Sequence, residues 1–235
     1  LVPLCILASW TGIKDNAKEY LVAFLVMESF LIGVFSVLDL MLFYVLFESV
    51  LIPMFLIIGI YGSRERKIRA SYFFFLYTLI GSVLMLLGIF YIFYVVGTTD
   101  YETLIAFSFT EQEQKFLWLM FFASFATKVP MLPMHIWLPE AHVEAPTAGS
   151  VILAGVLLKL GTYGFIRFSF PLFPFASLYF TPLVYSMASM AVVYTSLTAI
   201  RQTDLKRIIA YTSVAHMNLV MIGLFSFNVI GLEGA

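Results

Sequence analysis

Long apolar runs separated by short polar ones set the pattern of this chain. Apolar residues dominate at about 20–38, 40–60, 71–96, 116–138, 147–168, 180–200 and 205–226, and residues 1–10 read as the end of a further run. Most approach the ~20 residues that a helix needs to cross a ~30 Å hydrocarbon core. Runs of this length and apolarity read as membrane-spanning helices. The pattern predicts an all-α polytopic membrane protein with seven to eight spans in a single transmembrane domain covering 1–235.

Prolines and glycines refine the picture. Pro53 is expected to bend the 40–60 span, and Pro130 with Pro133 to break the 116–138 span. Pro146-Thr147 is a favourable opening for the span that follows. The polar segments are Thr11 to Glu19, the basic cluster at 64–69, and the long loop at 97–114 with its four carboxylates. Most Lys and Arg lie in the loops around 64–69 and 201–207, whereas 97–114 and 169–181 are acidic or uncharged. An even number of spans separates the two basic loops, so the positive-inside rule places both on the cytoplasmic or matrix side.

Composition narrows the chemistry. The chain is 62% hydrophobic and 11% charged, with a mean hydropathy of +0.99, far from a soluble domain. A net charge of -1 argues against nucleic acid as a partner. A single cysteine, Cys5, excludes an internal disulfide and a cysteine-ligated cluster within this chain. Gly-rich phosphate loops are absent. The driving cofactor is therefore expected outside this sequence. Because the chain opens inside an apolar stretch without an initiating Met and stops at Gly234-Ala235, a piece of a longer subunit is expected, incomplete at both ends.

Charges inside apolar spans are expensive and point to an ion or proton path. Lys128 lies about twelve residues into its span, ~18 Å by helical rise, just before the proline break. Glu48 lies ~12 Å into the 40–60 span by the same measure. Lys159 sits at the centre of its run, and its face carries Gly155 with the small residues Ser150 and Ala154, which predicts close inward packing. His216, a residue type able to relay protons, has polar neighbours. For each, the plainer reading is an interhelical hydrogen bond or, for Lys128, snorkelling past the break. Glu28 reads as a packing residue and Trp118 as an interfacial anchor. Glu140 and Glu144 read as a solvated vestibule or a partner contact on the basic side. His135 and His142 are separated by Pro139 and make no convincing metal site. Moving one proton against ~100 mV takes about 2.3 kcal/mol, which a change in the charge facing a buried lysine can supply.

The stretch from Lys128 to Ser150, KVPMLPMHIWLPEAHVEAPTAGS, continues into Leu157–Gly164, LLKLGTYG. Together with the segments around Asp39–Met54 and Gln202–Tyr211 it strongly resembles the antiporter-like membrane subunits of respiratory complex I. The resemblance covers nearly the whole chain. It implies a fourteen-helix fold of two inverted five-helix repeats, of which this chain holds about half. It also implies a proton path of a glutamate–lysine pair, Glu48 and Lys128, a central lysine, Lys159, and a later histidine, His216. No cofactor or metal is implied in this chain; NADH, FMN, iron–sulfur clusters and ubiquinone belong to partner subunits. Implied partners are the other membrane-arm subunits, the lipid bilayer, and a second chain supplying the missing helices. The implied setting is the mitochondrial inner membrane. Two rivals stand beside this reading: a subunit of a multisubunit cation/proton antiporter, and a non-pumping structural fragment of the membrane arm.

Overall fold

The apolar runs fold as helices because that geometry closes every backbone hydrogen bond within the run. A computed structural model describes residues 1–235 except Thr11, Lys14, Asp15 and Arg64, so Thr11 in the first polar loop and Arg64 in the basic cluster lie outside the described residues. In chain order the elements are α1 (Val2–Ser9), α2 (Ala17–Ser36), α3 (Leu40–Tyr61), α4 (Lys67–Val96), α5 (Tyr101–Ala106) and α6 (Glu111–Lys128). These are followed by α7 (Trp137–Glu144), α8 (Thr147–Leu172), α9 (Pro174–Tyr179), α10 (Thr181–Arg201), α11 (Leu205–Leu224) and α12 (Val229–Gly234). Among the described residues, six helices are long and apolar enough to cross a membrane: α2, α3, α4, α8, α10 and α11. Helix α6 spans a further ~27 Å by helical rise, but its first turn is charged and polar from Glu111 to Lys115.

Polar side chains fix where the helices start. Asp39 accepts a hydrogen bond from Leu42 N at 2.8 Å to open α3, and Asp100 accepts from Thr103 N at 3.1 Å to open α5 inside the long acidic loop. Thr110 and Glu113 form a capping box on α6. Those hydrogen bonds from Thr110 also hold the Glu113 carboxyl below the usual carboxylate range.

Contacts between loops sort the bundle into two ends. At one, Tyr61 Oη donates to Asn16 O (2.9 Å), Ser63 N to Glu144 O (3.0 Å) and Lys206 Nζ to Ala145 O (3.1 Å). At the other, Leu40 N donates to Thr99 O and Tyr101 N to Leu38 O, both at 2.9 Å, and Tyr101 Oη to Arg167 O at 2.7 Å. Ser63 and Lys206 therefore share one end, and the segment around Thr99 and Tyr101 occupies the opposite one. Outward faces of the long helices are apolar and exposed, as with Ile80, Phe90, Val193 and Leu197, which is how a helix meets lipid.

Trp118 is not an interfacial anchor. It is fully buried, stacked between Phe122 (4.8 Å) and Phe180 (4.7 Å), with Nε1 donating to Ser177 Oγ at 3.1 Å. Helix α9, which sequence left inside an uncharged loop, folds back to cover the indole. The cluster satisfies the indole N–H while burying its full apolar surface.

Candidate functional site

The break at Pro130 leaves backbone carbonyls that the helix would otherwise satisfy, because proline has no N–H and the ladder stops. Three of the acceptors find donors nearby. Met131 N reaches back to Ala126 O at 3.0 Å. Trp137 Nε1 donates to Thr127 O at 2.8 Å, and Asn218 Nδ2 on α11 donates to Pro130 O at 3.3 Å. Both side chains are buried. The irregular stretch between α6 and α7 is thus held by protein donors, as non-helical backbone at membrane depth requires. Trp137 and Asn218 were missed as contributors in the sequence; a proline-broken helix followed by a residue with a side-chain N–H was the available signal.

Lys128 closes α6 and is 2% exposed, with no hydrogen-bond partner for its ammonium. Three helices enclose it. Phe47 of α3 presents its ring face to Nζ at 4.6 Å from the centroid, an attraction that is strongest where water is excluded. Gly161 of α8 abuts the lysine: a Cβ there would lie 2.6 Å from Val129 Cγ2, 2.9 Å from Phe125 O and 3.2 Å from Lys128 Cβ. Gly81 of α4 lets that helix meet α6 one residue earlier, at Thr127.

Glu48 follows Phe47 and faces the same space. Both carboxylate oxygens are buried without a hydrogen-bond partner, and Lys128 is the cation that acts on them. Tyr44 and Ser82 stand beside the carboxylate, although the Ser82 hydroxyl donates to Leu79 O at 3.0 Å. The carboxylate and the ammonium are thus buried and electrostatically coupled with no hydrogen bond between them.

Lys159 and His216 are placed differently. Lys159 lies on an exposed face of α8, so the expected inward packing of the Gly155 face does not occur within this chain. Gly161 lies two positions on, about 200° around the helix, so the glycine meets Lys128 while the lysine points away. Its ammonium donates to Ala154 O at 2.6 Å, next to a π-helical turn at Leu153–Leu157. That turn shifts the ladder by one residue and offers the carbonyl. His216 lies on an exposed face of α11, whereas Asn218, two residues on, points to the break.

The remaining charges also separate. Glu140 pairs with Arg207 at 3.4 Å. Glu144 is buried rather than solvated, and its backbone carbonyl accepts from Ser63 N at 3.0 Å. Glu28 is half-buried on α2. His142 is buried, and burial, followed by the Lys206 ammonium, pushes its imidazole down to about 4. Among the described residues, no group of three or more His, Cys, Asp or Glu side chains converges as metal ligands.

A family model described as NADH:quinone oxidoreductase/Mrp antiporter, transmembrane, matches residues 37–235. The chain belongs to this family. Among curated relatives of this antiporter-like family, NADH-ubiquinone oxidoreductase chain 4 of Prototheca wickerhamii is 69% identical over the whole of this chain, which covers 45% of that protein. Chain 4 of Arabidopsis thaliana is 64% identical over the whole chain and 48% of its own length. A solved structure of respiratory complex I from Thermus thermophilus with bound NADH contains a chain with TM-score 0.88 and 33% identity, covering 99% of this chain and 50% of that one. The present chain therefore spans about half the length of the relatives it matches, and within that half the antiporter-like fold is complete enough to bury Lys128.

Proposed function

We propose that the chain forms part of a proton-translocating membrane-arm subunit of NADH:ubiquinone oxidoreductase in the mitochondrial inner membrane. The carrying observation is the buried, coupled pair of Glu48 and Lys128 at a helix break mended by protein donors. In this reading a proton arriving at Glu48 reduces the negative charge facing Lys128, and the lysine then releases its own proton toward Lys159 and His216. Water supplies the links, since orphaned buried polar groups are normally bridged by it. Lys159 and His216 face outward here, where the other half of a full-length relative would meet them. NADH, FMN, iron–sulfur clusters and ubiquinone are assigned to partner subunits, and quinone reduction there drives the pump. The chain holds one cysteine and no Gly-rich phosphate loop, which supports that division.

A native gel of gently solubilised membranes, probed for this chain and stained for NADH-dependent dye reduction, tests membership. Co-migration with a large NADH-active band is expected. Migration in a small inactive band, with transport that follows a sodium gradient, would replace this reading with the antiporter one.

A further inference from the structure

Between the outer faces of α2 and α3 lies an apolar groove of about 470 Å³. Ala23 and Phe30 line it from α2, and Ile52, Pro53 and Leu56 from α3. Two features of the sequence make room for it. Ala23 carries nothing beyond Cβ, so α2 presents no bulk at that point. In α3 the regular turn is interrupted at Val50, and Pro53 has no N–H for the Ser49 carbonyl. Val22 and Ile52, both lining residues, are 51% and 58% exposed, so the groove opens outward from the bundle.

Its placement matches one leaflet of a bilayer. Tyr61 Oη donates to Asn16 O, which puts the start of α2 at the end that holds Ser63 and Lys206. From Lys18 at that end to Phe30 the groove follows α2 for ~18 Å by helical rise. Half of a ~30 Å hydrocarbon core is ~15 Å, the depth that an acyl chain of one leaflet occupies. Length and apolarity therefore both suit a single acyl chain.

Charge lies only at the mouth. Lys18 and Glu19 are the charged lining residues, and both are exposed. Adjacent residues on a helix diverge by ~100° and do not face each other. Among the described residues neither side chain has a hydrogen bond or an ion pair. Glu19 acts electrostatically on the Tyr61 phenol, a neutral group that leaves the carboxylate's charge unmatched. One cation and one anion, side by side and unpaired, present a dipole to whatever lies in the groove.

We propose that this groove holds an acyl chain of a phosphatidylethanolamine whose headgroup sits on Lys18 and Glu19. The Lys18 ammonium takes the phosphate, and the Glu19 carboxylate accepts from the primary ammonium of the lipid, both as charge-assisted contacts. A choline headgroup has no N–H to give Glu19, and an anionic headgroup meets the repulsion of the carboxylate. The site stands apart from the proton path, because neither Glu48 nor Lys128 lines it.

The test uses the native membrane assembly that contains the chain, purified in mild detergent and returned to bilayers. Each bilayer carries one photoreactive phospholipid with a diazirine in its acyl chain and an ethanolamine, choline or glycerol headgroup. After illumination, mass spectrometry counts the lipid attached to peptides covering residues 18–30 and 52–56. The ethanolamine lipid is expected to label these peptides about tenfold more than either other lipid at equal mole fraction. Glu19→Gln should bring its labelling down to the choline level, and Lys18→Gln should lower labelling by the ethanolamine and choline lipids alike. Both positions are exposed, so neither change disturbs the packing. Equal labelling by the three lipids in wild type would reduce the groove to ordinary lipid-facing surface and overturn the proposal. A preference for the glycerol headgroup, an ethanolamine preference that survives Glu19→Gln, or no labelling at all would overturn it as well.

Discussion

Two lysines lie in neighbouring helices, Lys128 at the broken end of α6 and Lys159 within α8, and the fold treats them in opposite ways. Lys128 is enclosed by α3, α4 and α8 with no hydrogen bond for its ammonium. Lys159 lies exposed on α8 and gives its ammonium to a carbonyl of its own helix. Depth along a helix is therefore a separate property from the face on which a residue lies. The cost of a mid-membrane charge falls on each lysine in a different form: Lys128 is matched by a carboxylate and an aromatic ring, Lys159 by the shifted ladder of a π turn.

The largest effect that could break this comparison comes from Lys128→Met in the assembled complex. A positioned proton-transfer group is worth about 10²–10⁴ in rate. NADH-driven proton uptake by reconstituted vesicles should fall at least about a hundredfold, while the complex still assembles. Uptake at the wild-type rate would make Lys128 a packing residue.

A second test compares Lys128 with another buried base, His142, which lies outside the membrane spans. Its pKa falls from the ordinary 6.5 to about 4. Above pH 6.5 folded and unfolded chains both hold a neutral imidazole, and this group's contribution is constant. Between 6.5 and about 4 only the unfolded chain takes up the proton, so about 3 kcal/mol of stability is lost as pH falls. Thermal unfolding in detergent should show that slope for wild type and a flatter one for His142→Gln.

A smaller effect probes the break beside Lys128. Trp137→Phe leaves Thr127 O without its donor and should cost about 2 kcal/mol in chemical unfolding. The equivalent loss around Lys159 has no counterpart, because that helix satisfies itself. The mildest test reads accessibility directly. The only native thiol, Cys5, is buried, so a maleimide should label Lys159→Cys at least about tenfold faster than Lys128→Cys in the isolated chain. Equal rates would remove the contrast.

Much of the helical architecture was legible because membrane-length apolar runs admit few alternatives. The two-ended sorting of charge was legible as well, since loop parity and basic residues are both linear properties. Short helices inside polar loops, α5 and α9, were not visible: each owes its existence to a cap or to the surface it covers. Trp118 was misread for the same reason, because a tryptophan near a span end resembles an interfacial anchor until Ser177 and Phe180 close over it. The meeting of Glu48 with Lys128 came from family resemblance and not from periodicity, which cannot align two separate helices. Asn218 and Trp137 escaped notice because their role is to satisfy carbonyls that exist only once Pro130 has broken the helix.

Trp137 also gives the break an optical signature. The chain has three indoles: Trp10 is 71% exposed, Trp118 is stacked in an aromatic cluster, and Trp137 alone is bonded to the broken backbone. Indole emission shifts with its hydrogen bond and its surroundings. With Trp10 and Trp118 replaced by phenylalanine, the remaining fluorescence becomes a gauge of Thr127 O. Any rearrangement of the α6 terminus during turnover would then be visible as a colour change, in real time and without an added label.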